Sequence, residues 1–392
     1  MAKKRGQNEG GLTERPDGTQ MAQFTIEGKR KTKYFKTKKE AKNWLREMQN
    51  KVKTGYSLSS TKITLNEFLS EYLNSIQTTV RPKTIIQYRR IVNNHINPFL
   101  GNYKLDELKP NHIQYFYNSK LEKGTSERTV ILIHAVLHKA LRQAVLWGII
   151  GWNPSDAVVK PKKKKSEITV LNDVQVRNLL LVAKGSSIEV LIHTAITTGL
   201  RFGELLGLKW SDLDWNKRTL QIQRQVYFLP QKGNVFAELK TKSSQRTIVL
   251  GKTTLELLKR YWKEHQTLKA EMKGNWHDLD LVFPSQTGNP NDKGNLSRRF
   301  KKLLETAGLP PIRFHDLRHT AATLMLLQGI NPKVVQERLG HSDISMTLNT
   351  YSHVLPSMQQ DAADKIDELI NMTEIDDNFL IRDSISYEMG NE

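Results

Sequence analysis

The sequence contains no cysteine. That excludes disulfides, thiolate zinc sites and thiol nucleophiles, and it fits a reducing compartment. Acidic residues are scarce beside basic ones: 40 Asp and Glu against 60 Lys and Arg, a net charge of +20 and a pI near 9.8. A balance so far from neutral points to a polyanion as partner, nucleic acid first, with a generic basic protein or a membrane-surface binder as the alternatives. No apolar run approaches the roughly 18–20 residues of a membrane span. The N-terminal MAKKRGQNEGG has basic residues with no apolar core behind them, so it is not a secretory signal. Repeats are absent, and the only low-complexity tract is a run of four lysines. At 392 residues and 38% hydrophobic content, the chain has enough for two or three domains with real cores.

Residues 1–60 hold fifteen Lys and Arg against six acids. Pro16-Asp17-Gly18 signals a turn. QFTIEGKRKTKYF alternates apolar and polar residues, which predicts two short strands around Gly28. Lys38 to Gln49 has helix-forming composition, with Ala41, Trp44, Leu45 and Met48 on one face. The alternative is a disordered basic tail. Phe24, Tyr34, Phe35 and Trp44 argue for a folded module because they can form a small core. Residues 61–152 predict four helices. The first, TLNEFLSEYLNSI, opens with a Thr64–Glu67 capping box and has Leu65, Phe68, Leu69, Tyr72, Leu73 and Ile76 on one face. The second is expected to end at Pro98 and Gly101, the third at Gly124 and the fourth at Gly148. Residues 153–166, NPSDAVVKPKKKKS, are expected to form a basic linker that can lie along phosphates. Residues 167–371 mix helices with a strand-rich middle, and residues 372–392 form an acidic tail.

The stretch RFHDLRHTAATLMLLQG places His315, Arg318 and His319 at the mouth of an apolar helix. His315 and His319 are four apart, which is metal-ligand spacing, and HDLRH resembles the zinc protease pattern H-E-x-x-H. That pattern needs glutamate where Asp316 stands, and a third ligand for which His341 and His353 are the nearby candidates. A pair of capping or surface histidines is the bland alternative. The surroundings supply a third possibility, a phosphate. Downstream, Asn331-Pro332 opens a helix as cap and first residue, Gly340 closes it, His341 follows and Tyr351 lies ten residues on. Upstream, Gly199 breaks a helix and Arg201 leads the next. Between them lies a lysine-bearing hairpin, ELKTKSSQRTIVL.

Together TGLRFGELLGLKW, LKTKSSQRTIVL, HDLRHTAATLMLLQG and LGHSDISMTLNTYSHV resemble the boxes of the tyrosine recombinases, in particular the phage-type integrases that carry an arm-binding domain. The resemblance covers most of the chain, and its boxes are specific as a set although each alone is weak. It implies a multidomain α+β fold: a small β-sheet-plus-helix N-terminal module binding arm-type DNA, an all-α core-binding domain, and a mixed, mainly-α catalytic domain with a small antiparallel sheet. It implies strand cleavage and rejoining through a 3′-phosphotyrosyl link. Arg201 and Arg318 would clamp the phosphate, Tyr351 would be the nucleophile, His315 its proton acceptor and His341 a second hydrogen-bonding group. Lys240 would be the general acid, with Lys242, two residues on, as the other choice. His319 and His353 would be structural. No metal and no cofactor would be required.

The implied partners are double-stranded DNA at core and arm sites, further copies of the chain in a tetramer on DNA, and accessory DNA-bending proteins, with no membrane. The implied setting is the nucleoid of a bacterial cytoplasm, and the implied outcome is integration and excision of a phage or other mobile element. An acidic-apolar tail on a basic protein suggests docking to a basic surface, which the resemblance implies is that of a neighbouring protomer; a disordered tail is the alternative. Two other functions stay open: a catalytically silent DNA-binding protein on the same scaffold, and a zinc hydrolase.

Overall fold

In a computed structural model of the chain, the described residues are 10–26, 29–53, 63–162, 169–230, 232–239, 244–272, 274–350 and 363–370. The chain divides into two compact units, Met1–Ser166 and Glu167–Glu392, and each is considered by itself.

The N-terminal module is a three-stranded antiparallel sheet, β1 (Gly11–Glu14), β2 (Gln20–Ile26) and β3 (Lys29–Phe35), covered by helix α1 (Lys38–Lys53). The two strands read from alternation pair in register from Gln20 opposite Phe35 to Ile26 opposite Lys29. The edge strand β1 was not legible, because GLTE is too short and polar to show a period. Ala22, Phe24 and Ala41 are fully buried, with Trp44, Leu45 and Met48 around them. A mini-core is therefore present, with Phe35 against Trp44 at 5.9 Å, but Tyr34, expected in it, is 53% exposed.

In the helical part, α2 (Leu65–Ser75) begins as its capping box requires. The Glu67 N–H donates to Thr64 Oγ1, and the Glu67 carboxylate accepts from the Thr64 N–H at 2.8 Å. Helix α3 (Pro82–Ile91) runs through a π-helical turn, Val92–Ile96, into α4 (Asn97–Leu100). Pro98 therefore does not end this helix, as the sequence suggested. The Asn97 N–H donates to the Val92 carbonyl, five residues back. The wider turn gives the ring room at a position where an ordinary α-helix would set it against the preceding carbonyl. Helices α5 (Pro110–Glu122) and α6 (Glu127–Leu146) complete the bundle and stop before Gly124 and Gly148, both with positive φ.

With 20 residues and a mean hydropathy of 1.3, α6 is long and apolar enough to cross a membrane by length and composition, contrary to the expectation that no such stretch exists. Its apolar face, Val130, Ile133, Val136, Leu137, Ala140, Leu141 and Ala144, is buried in the bundle core. The expected linker also begins as part of this bundle. Asn153 and Ser155 are buried, the Asn153 side-chain amide donates to the His138 carbonyl, and Asp156 pairs with His138 Nε2 at 2.8 Å.

The second unit packs helices α7 (Asp173–Ala183), α8 (Glu189–Thr198), α9 (Phe202–Leu205), α10 (Lys252–Glu271), α11 (Lys293–Thr306), α12 (Asp316–Leu327), α13 (Pro332–Leu339) and α14 (Ile344–Thr350) around strands β4 (Leu213–Asp214), β5 (Thr219–Ile222), β6 (Arg224–Leu229), β7 (Gly233–Glu238) and β8 (Arg246–Val249). Its main core runs from Leu171 to Leu317. The lysine-bearing stretch is not a hairpin between paired strands. β7 pairs with β6, whereas β8 crosses to pair with β5 in a separate sheet with β4. Lys240 and Lys242 lie in that crossing, outside the described residues, as do Tyr351, His353 and the tail 372–392.

Candidate active site

Two glycines in the left-handed region organise the site. Gly199 ends α8 with φ of 65°, and Gly340 ends α13 with φ of 68°. Such a cap suits glycine, and it leaves carbonyls for other donors. A side chain at Gly199 would meet Leu339 Cδ2 at 2.6 Å, and one at Gly340 would meet Arg246 Nη1 at 2.8 Å. Each glycine carbonyl accepts from one of the arginines singled out by the sequence. Arg318 Nη1 donates to the Gly199 carbonyl and Arg201 Nη2 to the Gly340 carbonyl, both at 2.9 Å. Three boxes far apart in sequence are thereby tied together.

Arg201 caps α9 and Arg318 lies in the first turn of α12. Arg318 is 3% exposed, and Arg201 retains 32% of its side-chain surface. Between them and β8 sits a carboxylate the sequence reading passed over. Glu204, fully buried, accepts from Arg201 Nη1 at 2.7 Å and from Arg246 Nη2 at 3.0 Å. Burial pushes its carboxyl pKa up, but the guanidiniums of Arg246 and Arg201 pull harder, and the net result lies below the usual carboxylate range. Arg246 also donates from Nε to the Arg338 carbonyl at 2.7 Å. One signal could have marked Glu204: it stands three residues after Arg201, in capping-box spacing, and its carboxylate accepts from the Arg201 N–H. Arg246 carried no such local signal.

The RFHD turn is closed by Asp316, whose carboxylate accepts from Arg313 N–H, Nε and Nη2 at 2.7–3.0 Å. This places His315 at the N-terminus of α12, with one face exposed and its ring edge-on to His319 at 5.6 Å. Phe314 stacks on Phe202 at 4.1 Å and so joins this turn to α9. Surrounding protein, then His319 and Arg318, hold the His315 pKa below its ordinary value. The depression is deeper at His341, pushed down to about 3 by burial and then by Arg318 and Arg201. Both rings are neutral near pH 7. His341 Nδ1 lies 2.9 Å from the hydroxyl of Thr347, another residue the sequence reading did not mark.

The structure thus brings Arg201, His315, Arg318 and His341 together. Lys240 and Tyr351 lie outside the described residues, which break off at Thr350 on α14. Among the described residues no three histidines or carboxylates converge as metal ligands. The donor set is instead rich in guanidinium, which suits an oxyanion with several acceptor oxygens.

The class of protein follows from comparison with known proteins. Residues 169–358 match the phage integrase family, residues 64–121 its N-terminal SAM-like domain and residues 19–52 an arm DNA-binding domain. A tyrosine recombinase XerC-like protein of Caldanaerobacter subterraneus subsp. tengcongensis is 34% identical over 87% of this chain and 92% of its own length. The Tn1549 transposon integrase, solved in complex with transposon right end DNA, superposes with a TM-score of 0.66 at 23% identity, over 77% of this chain and all of its own. A lambda integrase tetramer bound to a Holliday junction gives 0.54 at 21% identity, over 85% and 96%. The chain belongs to the phage integrase family. It is a tyrosine-type site-specific recombinase.

Proposed function

We propose that Arg201, Lys240, His315, Arg318, His341 and Tyr351 carry strand exchange through a 3′-phosphotyrosyl intermediate. The observation that carries this is the pairing of Arg201 and Arg318 with the two glycine carbonyls, beside neutral His315 and His341. The tyrosine hydroxyl has an ordinary pKa near 10, so only about one in a thousand is phenolate at pH 7. It needs a proton acceptor. His315, unprotonated and open on one face, takes that proton. The arriving phosphate, by its negative charge, favours the imidazolium that results. The Tyr351 oxygen bonds to phosphorus as the bond to the 5′ oxygen breaks. Lys240, or Lys242 two residues on in the sequence, delivers a proton to that oxygen. Arg201, Arg318 and His341 donate to the non-bridging oxygens, where charge builds. Attack by another strand's 5′ hydroxyl reverses the sequence and rejoins the DNA.

The substrate is double-stranded DNA at core and arm sites, within a mobile element that is integrated and excised in a bacterial cytoplasm. The net charge and the basic N-terminal module support DNA as the substrate. The acting form is a tetramer on DNA, assisted by DNA-bending proteins. Over residues 363–370, Ile366, Leu369 and Ile370 form an exposed apolar stripe at helical spacing that a neighbouring copy would cover, and the acidic tail continues that contact. Truncation after Asn371 with tetramer assembly and activity unchanged would remove the tail from this account.

The decisive experiment is a covalent trap on a nicked suicide DNA carrying the crossover site, with EDTA present. A protein–DNA adduct that forms in EDTA and disappears in Tyr351→Phe is the expected result. Tight binding to a verified site without any adduct points instead to a silent DNA-binding protein.

A further inference from the structure

His341 and the helix that leads to Tyr351 are joined by one side-chain bond. Thr347 is fully buried, and its hydroxyl lies 2.9 Å from His341 Nδ1. The backbone of His341 is held separately: its N–H donates to the Gln336 carbonyl at 3.1 Å, and its own carbonyl accepts from Gln336 Nε2 at 3.0 Å. What Thr347 adds is control of the ring. A neutral imidazole has one donor nitrogen and one acceptor, and the partner of one decides the role of the other.

Threonine hydroxyls in helices commonly donate back to the carbonyl four residues before. Thr320 does so to Asp316 at 3.1 Å, and Thr198 does so to Thr194. The Thr347 hydroxyl is turned to an imidazole. We propose that Thr347 donates its proton to Nδ1 and is a positioning residue, holding His341 in the tautomer that carries its proton on Nε2, the donor a phosphate oxygen requires. This rests on the phosphate-holding role given to His341 above. The opposite tautomer would turn a lone pair toward an anion. Protonation does not blur the choice, because burial, and then the guanidiniums of Arg318 and Arg201, keep the ring neutral.

Thr347 stands four residues before Tyr351, on α14. The helix that precedes Tyr351 in the sequence is thus the one that sets the His341 donor.

The test uses the full chain labelled with ¹⁵N-histidine, whose imidazole nitrogen shifts separate the two tautomers, with His341→Gln to assign the signal. In the wild type His341 is expected mainly as the Nε2–H form near pH 7. Thr347→Val, equal in shape but without the hydroxyl, should shift that population. It should also slow single-turnover cleavage about 10-fold, the lower range typical for loss of a partner that orients a histidine, with DNA affinity unchanged. Thr347→Ser should restore both. An unchanged tautomer in Thr347→Val, or an Nδ1–H form in the wild type, overturns the proposal. So does a cleavage rate that falls in His341→Gln but not in Thr347→Val with the tautomer shifted, and the role of His341 then stands. If neither variant slows cleavage, the reading of His341 as a phosphate donor fails first. Should Thr347→Val not fold, the wild-type tautomer and Thr347→Ser still decide the matter.

Discussion

The helical bundle of the first unit and the candidate site of the second bury their polar groups in different ways. The bundle encloses an almost wholly apolar core, from Leu65 to Ile150. Its polar ties, such as Asn153 to the His138 carbonyl and Asp156 to His138, lie at its margin. The second unit also has a large apolar core, but beside it Glu204 is fully buried, Arg246 and Arg318 nearly so, and two histidines are held neutral. Enclosing ions that way contributes little to stability, since their desolvation offsets much of their attraction. A bundle that only has to hold its shape can do without them. A site that meets a phosphate, the role proposed for this one, cannot, because charge placed in advance where negative charge will build lowers the barrier without reorganisation. The difference separates what folds the protein from what the protein does.

Substitutions can break that contrast. The largest expected effect is that of Arg318→Met, which keeps volume and removes charge. Single-turnover cleavage should fall by about 10²–10³, while the melting temperature falls by only a few degrees, because the Gly199 carbonyl loses its donor at a cost of about 1–3 kcal/mol and relief of a buried charge offsets part of it. A cooperative loss of structure in this variant would show that the arginine holds the fold as well. Glu204→Gln comes next, because it leaves two guanidiniums facing a neutral amide. The cost is about 3–5 kcal/mol, on the order of 10 °C in the transition of that unit, measured by calorimetry. Its pH dependence has a definite sign. The folded-state pKa of Glu204 is depressed, so its contribution is whole above the ordinary value of 4.5 and is lost as pH falls through the folded value.

In the bundle the expectation reverses. Leu137→Ala should cost about 2–5 kcal/mol of stability, yet leave cleavage by the folded, DNA-bound enzyme intact at low temperature. A chemical defect there would sink the separation drawn above. The smallest effect concerns acid. The unfolded chain takes up a proton at His341 near 6.5, whereas the folded chain resists down to about 3. The contribution of a neutral His341 is therefore complete above pH 6.5 and fades on acidification through that window. His341→Gln should flatten the acid side of a plot of melting temperature against pH, and an unaltered slope would place the acid sensitivity elsewhere.

Much of this was legible locally. The capping box at Thr64 and Glu67, the Asn331-Pro332 start of α13, and Gly199 and Gly340 as helix ends all appear where the sequence puts them. Each is a signal spanning three or four residues, set by backbone conformation and orphaned N–H or carbonyl groups. Pro98 misled because its effect depends on the turn before it, and the π-helical register of Val92–Ile96 is not a local preference. The lysine segment misled because strand partners are chosen by burial and pairing across the unit. ELKTKSSQRTIVL looks like a hairpin, yet its two ends join different sheets. Glu204, Arg246 and Thr347 were passed over for the same reason. A glutamate, an arginine and a threonine have no distinctive chemistry until it is known what stands opposite them.

The sequence by itself determined the charge, the inventory of reactive groups, their order along the chain and the stops and starts of most helices. These follow from composition and from interactions within one or two turns. The tertiary structure decided which of those charges are buried and which carbonyl each arginine holds. It also decided that Glu204 lies between two guanidiniums, and that the helix before Tyr351 reaches back to His341. The physical reason is that the free energy of an ionisable group is set by what lies within a few ångströms of it in space, and here those neighbours come from boxes more than a hundred residues apart in sequence, as Arg201 and Gly340 do.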